Sequence, residues 1–280
     1  MADEQNAYVI LEQNDFERAR LNSQFWYCHK HINLDRFIHD ERLSLPSDAV
    51  VLESGAGTGI WSMELAKLMP SSVTFNVIDI STKLFPSTSI VPANVHFSQT
   101  SILSLPTEWS SRFDLASQKL LSPALTRHQW RLAVSEFYRV IKPGGHIQLM
   151  EFIWSEWTLS KGPANDRFKS VFRELYQKHD LVANVATELP ELLKEVGFSD
   201  IMVESRSAPV GVGLGPEGEK GMRVFKNVLT SLKPAVLKLG IVSSEKQYDD
   251  IFHSIDEDWR NGLGGEFTML CAIYAQKPVE

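Results

Sequence analysis

One segment concentrates the residues able to do chemistry, Val50-Val51-Leu52-Glu53-Ser54-Gly55-Ala56-Gly57-Thr58-Gly59-Ile60-Trp61. A β-branched run enters three closely spaced glycines and leaves in a helical pattern. Glycines there let the backbone turn tightly and approach a ligand, and the helix start offers unpaired N–H groups. Spacing decides which ligand. A dinucleotide fingerprint needs a third small residue at position 60, which is Ile60, and no Gly-Lys-Ser/Thr ends the loop as a nucleotide-triphosphate loop requires. What remains is Glu53-x-Gly55-x-Gly57-x-Gly59, an acid two residues before the first glycine. About 20 residues further on, Asp79 ends the next apolar run, where a carboxylate can accept both hydroxyls of a ribose.

Positioning these groups calls for a parallel sheet. Short apolar bursts alternate with longer amphipathic stretches, the pattern of an α/β protein. Strands are expected at Val50–Glu53, Thr74–Asp79, Val95–Ser98, Phe113–Ser117, His146–Phe152, Ile201–Glu204 and Phe267–Gln276. Helices are expected over Trp61–Met69, Arg127–Ile141 (stopped by Pro143-Gly144-Gly145) and Thr187–Val196. Three segments exceed a minimal sheet sandwich. They are an amphipathic helical lead-in over Phe16–Asp40, rich in aromatics and His, the stretch Trp154–Asp180, and Ala208–Gly265, which opens with glycines from Gly211 to Gly221 and then offers helices near Met222–Leu239 and Glu245–Arg260. Insertions at one end of such a sheet cover the ligand crevice.

The acid-glycine loop, Asp79, Phe113-Asp114-Leu115 and Ile141-Lys142-Pro143-Gly144-Gly145 together resemble the class I S-adenosylmethionine (SAM)-dependent methyltransferases. Glu17-x-x-Arg20-Leu21-x-x-Gln24, the Pro-containing loop after Asp79-Ile80-Ser81 and the closing Tyr274-Ala275-Gln276-Lys277-Pro278 narrow the likeness to the fungal secondary-metabolism branch. The resemblance implies a Rossmann-like seven-stranded α/β sheet whose last strand is antiparallel. It divides the chain into a helical cap over residues 1–45 and a SAM-binding domain over 46–280, with lid insertions near 154–186 and 208–265. SAM carries a sulfonium and an ammonium, which an acid beside the loop suits better than it suits a pyrophosphate. The family's adenine-side Asp after the third strand is absent; Ser98-Gln99-Thr100-Ser101-Ile102 stands there.

The implied cofactor contacts are Glu53, Gly55, Gly57, Gly59, Asp79, Ile80, Ser101, Ile102, Gln118 and Tyr27. Trp26, Trp154, Trp157 and Phe172 are candidates for an aromatic acceptor box, with Phe25 beside them. Among eight histidines, His29 and His253 are the candidates for a general base, ahead of His31 and His179. The implied reaction is methyl transfer to O, N or S of a small, largely apolar secondary metabolite. The alternatives are a SAM-binding regulator acting through protein partners and a SAM-dependent rearrangement. Apolar residues in the lid segments (Phe168, Val171, Phe172, Leu175, Met222, Val224 and Phe225) favour an apolar acceptor.

Composition limits the remaining classes. The 280 residues are 43% apolar and 22% charged, in the range of a folded globular chain. A net charge of −7 offers no field for nucleic acid or an anionic membrane. Cys28 and Cys271 match no metal spacing, no apolar run reaches membrane-spanning length, and no metal is expected. A reduced, cytoplasmic protein with a small-molecule substrate is the expectation.

Overall fold

The computed structural model describes residues 14–279. The first part of the expected cap, residues 1–13, lies outside the described residues. A seven-stranded sheet forms the middle layer: β1 Val50–Ser54, β2 Thr74–Asp79, β3 Val95–Gln99, β4 Phe113–Lys119, β5 Ile141–Phe152, β6 Ser199–Val210 and β7 Gly265–Gln276, in the order β3-β2-β1-β4-β5-β7-β6. β1 to β5 pair in parallel, and β7 runs antiparallel between β5 and β6. The strand order reverses between β1 and β4, and ligands of open α/β sheets bind at the carboxyl ends on either side of that switch.

The helices are α1 Asp15–His31, α2 Ile60–Ala66, α3 Arg127–Val140, α4 Ala164–Lys178, α5 Val185–Val196, α6 Gly215–Lys238 and α7 Glu245–Arg260. α3 begins in a capping box, with Thr126 and Gln129 each satisfying the other's backbone N–H. It ends at Val140, where Ile141 turns extended (φ −74°, ψ 137°) and begins the next strand. The following strand starts at Ile141 rather than His146. Its Pro-Gly-Gly segment stays in the sheet through a register shift opposite Phe113, and a Cβ on Gly145 would stand 3.0 Å from the Phe113 carbonyl oxygen.

Two other expectations change. β6 extends to Val210, so the late insertion spans residues 211–264. β6 lies at the sheet edge with alternating exposure, and β7 rather than its own apolar content fixes its length. The glycines from Gly215 to Gly221 open α6 instead of forming a loop. Gly218 and Gly221 let that helix lie on the end of β6, since a Cβ at either would meet the Gly211 or Pro209 carbonyl oxygen at 2.1 Å.

Apolar burial falls into three clusters. One packs under β1 and β2 with Trp61 and Leu65 of α2, and a second joins the sheet to α3 and α5. The third joins Tyr27 and Cys28 of α1, and Ile32 just after it, to α4, α6, α7 and the ends of β5 to β7. Cap and insertions therefore share a single core above the sheet.

Candidate active site

The site grows from the ends of β1, β2 and β4. After Ser54 the chain turns through Gly55 and Gly57 at φ +59° and +56°, a left-handed conformation that disfavours side chains. A Cβ on Gly55 would collide with Leu121 at 2.4 Å, so this glycine also makes room for the loop after β4. Gly59 (φ +68°) serves packing instead, because its Cβ would meet the Phe97 ring at 2.4 Å; it seats α2 against β3. The Asp79 carboxylate accepts the Gly57 N–H at 2.8 Å and the Ser81 N–H at 3.0 Å, tying the end of β2 to the glycine loop.

Two cavities meet at Gly55, Asp79, Leu121 and Ala124. The smaller, about 40 Å³, lies between Ile80, Ser101, Ile102, Leu103 and Leu125. The larger, about 160 Å³, passes from Glu53, Gly57 and Trp61 to an apolar end formed by Met150, Phe152, Trp154, Val228 and Leu232. An extended ligand with a flat heterocycle at one end fits this shape.

α1 roofs the larger cavity. Its inward face is polar in the first half, with Glu17, Arg20 and Gln24 all at 5% exposure or less. Arg20 donates twice to Glu17 at 2.6 Å and once to Gln24 at 2.5 Å. The helix is held over the loop by Arg18, which donates to the carbonyls of Lys83, Leu84 and Phe85, and by a 2.7 Å hydrogen bond between Thr58 and Asn22. Cys28 and Asn33 also line the cavity; burial pushes the Cys28 thiol up to about 12, and the Asn33 side-chain amide oxygen (Oδ1) is buried with no hydrogen-bond partner.

Glu53 does not present a bare carboxylate. One oxygen lies 3.2 Å from the Lys119 ammonium and the other accepts the Ser62 N–H at 3.2 Å. Lys119, at the end of β4, also sits 4.0 Å over the Trp61 ring, and burial lowers its pKa. Glu151, fully buried on β5, accepts the N–H groups of Leu121 and Ser122 at 3.1 and 2.8 Å. Burial pushes its carboxyl up to about 7. Gln118 is fully buried beside that carboxyl but closes no hydrogen bond of ordinary geometry with it, and it does not line the cavity.

Several expected site residues lie elsewhere. His253 is 73% exposed on α7, 3.3 Å from Glu257, and His29 is buried against Phe25 and Phe37, where desolvation lowers its pKa. Neither lines the cavity. Tyr27 turns away to donate to the Pro209 carbonyl at 2.6 Å, and Trp26 is 48% exposed. Trp154 does line the cavity, whereas Trp157 and Phe172 pack behind it, with Phe172 stacked on Trp154 at 5.3 Å. The apolar residues expected from α4 and the start of α6 fill the lid core, and Val228, Ser231 and Leu232 one turn later face the cavity. The residues the sequence left unremarked are Lys119, Glu151 and Asn33. Only Lys119 carries a visible signal, a lone cation closing an otherwise uncharged strand end.

A methyltransferase-domain family model matches residues 51–145, the stretch from β1 to the start of β5. The N-methyltransferase gliN of Aspergillus fumigatus is 27% identical, with 99% of both chains covered. The N-methyltransferase verN of Clonostachys rogersoniana is 28% identical over 81% of this chain and 79% of its own. Among solved structures, Haemonchus contortus phosphoethanolamine N-methyltransferase 2 with S-adenosylhomocysteine superimposes at a TM-score of 0.53. It shares 15% identity over 96% of this chain, which spans about three-fifths (61%) of that longer protein. From a glycine loop that excludes dinucleotides to relatives aligned along its whole length, the chain belongs to the class I SAM-dependent methyltransferases, in the branch of fungal secondary metabolism.

Proposed function

We propose that the protein methylates a nitrogen atom of a small, largely apolar metabolite. The observation that carries this reading is the apolar end of the larger cavity, walled by Met150, Phe152, Trp154, Val228 and Leu232, in a cavity that shares Gly55, Asp79, Leu121 and Ala124 with the smaller one. The names of the relatives gliN and verN support nitrogen over oxygen or sulfur.

The residues fit the cofactor in three places. Asp79 stands where the cavities join and accepts ribose hydroxyls. Ile80, Ile102 and Leu103 enclose the adenine, with the Ser101 hydroxyl replacing the missing adenine-side carboxylate. Gly55 and Gly57 bring backbone close to the methionine portion. When bound, SAM supplies a methyl group activated by its sulfonium. The protein must hold the acceptor nitrogen in line and keep water out, a matter of orientation and desolvation. Trp154 and Leu232 face the acceptor, and α1 closes the chamber from above. With His29 and His253 outside the cavity, orientation rather than a histidine base drives the transfer.

Incubation of the protein with isotope-labelled SAM and matched panels of secondary amines and amides, phenols and thiols, each in apolar and polar versions, tests the reading. Label should appear as N-methyl on apolar members. Transfer confined to oxygen or sulfur, or to polar acceptors, overturns it.

A further inference from the structure

We propose that Lys119 is a resident cation of the cofactor cavity and sets its preference between the positively charged methyl donor and the uncharged product, S-adenosylhomocysteine (SAH). The Glu53 carboxylate and the Trp61 ring face form a box suited to a cation, through charge on one side and the ring quadrupole on the other. The chain fills that box itself. The Lys119 ammonium is 3.2 Å from Glu53, 3.3 Å from the Ser117 hydroxyl and 4.0 Å from the Trp61 ring centre. Glu53, Trp61 and Lys119 all line the larger cavity, and the Lys119 side chain is only 14% exposed, so solvent screens it weakly.

SAM and SAH share adenosine, ammonium and carboxylate. They differ by a methyl group and by a unit charge at sulfur. A group that holds the shared parts changes both affinities alike, whereas a fixed charge in the cavity changes their ratio. With Glu53 neutralised by Lys119 and Glu17 by Arg20, neither of these acids offers the sulfonium a net counter-charge. A fixed ammonium in the lining acts on the unit charge that only SAM carries, and so lowers the affinity for SAM relative to SAH. This inference is independent of the acceptor atom.

Calorimetric titration of the full chain with SAM and with SAH provides the test, since it reads binding and not turnover. Lys119→Met should raise the affinity for SAM relative to SAH by about threefold to tenfold, the scale of one charge acting across a partly shielded cavity. Glu53→Gln, which leaves the ammonium uncompensated, should move the ratio the opposite way. Lys119→Arg should keep it near wild type, and the double variant should return towards it. If Lys119→Met does not fold, the shift in Glu53→Gln and the constancy in Lys119→Arg still decide. Equal changes for both ligands would assign Lys119 to a shared group such as the carboxylate, and an unmoved ratio would remove it from the electrostatics; either overturns the proposal. A wild-type chain that binds neither ligand would instead overturn the cofactor site itself.

Discussion

At the scale of single residues, Asp79 joins two jobs that a variant cannot separate by activity alone. It faces both cavities and also anchors the glycine loop through the Gly57 N–H. Asp79→Ala should weaken SAM and SAH together by about tenfold or more in calorimetry, the scale of a lost charge-assisted pair of hydrogen bonds. Gly55→Ala should lower the melting temperature and cofactor affinity, because a left-handed alanine costs about 1–2 kcal/mol before Leu121 is displaced. Gly213→Ala, with nothing near its added methyl, should leave both unchanged. Glu151 gives a pH signature. Its folded value of about 7 lies above the ordinary 4.5, so between these the folded chain holds a proton that the unfolded chain releases. Stability therefore falls as pH rises through that window, and Glu151→Gln should flatten this part of a melting-temperature profile. The glycines and Asp79 were legible in the sequence because their spacing along one strand-turn-helix is local. The Glu53–Lys119 pair was not, since it depends on β1 and β4 lying side by side, 66 residues apart in the chain.

At the scale of elements, α1 is the unusual one. The lead-in was expected to be amphipathic as far as Asp40, but α1 stops at His31 and buries Glu17, Arg20 and Gln24 on its inner face, so the apolar stripe expected of it is absent. The motif spacing marked the helix, and the structure adds that these polar residues roof the larger cavity. Because the Glu17–Arg20 pair is nearly solvent-free, Arg20→Met should strand the carboxylate and destabilise the protein by about 3–5 kcal/mol in denaturant melts. Adding Glu17→Gln should recover part of that loss. Strands buried on both faces, such as β1 and β2, were readable as apolar runs at nearly their full length, whereas only Ile201–Glu204 of β6 was, the rest being alternately exposed at an edge. Histidines and aromatics misled for a related reason: a helix face cannot be assigned to cavity or core until its neighbours are known. Trp154 and Phe172 illustrate it, stacked together with only the first reaching the chamber.

At the scale of the whole molecule, the insertions are not an appendage to the sheet, since one apolar cluster runs from α1 through α4, α6 and α7 to β7. No helix among the described residues is long and apolar enough to cross a membrane, and no group of three metal-binding side chains occurs among them. The placement of β7 between β5 and β6 has a consequence for how the chain is made. Leaving the ribosome in sequence order, β6 and the whole of residues 211–264 emerge before the strand to which β6 pairs. Until then β5 keeps one edge open and the lid core lacks Met269 and Leu270, both fully buried in the finished fold. At about 5–20 residues per second that interval lasts seconds, long enough for an open apolar edge to recruit other chains. Nascent chains stalled just before Gly265 should thus be captured by chaperones and cut readily by protease, and chains extended past Gln276 should resist both.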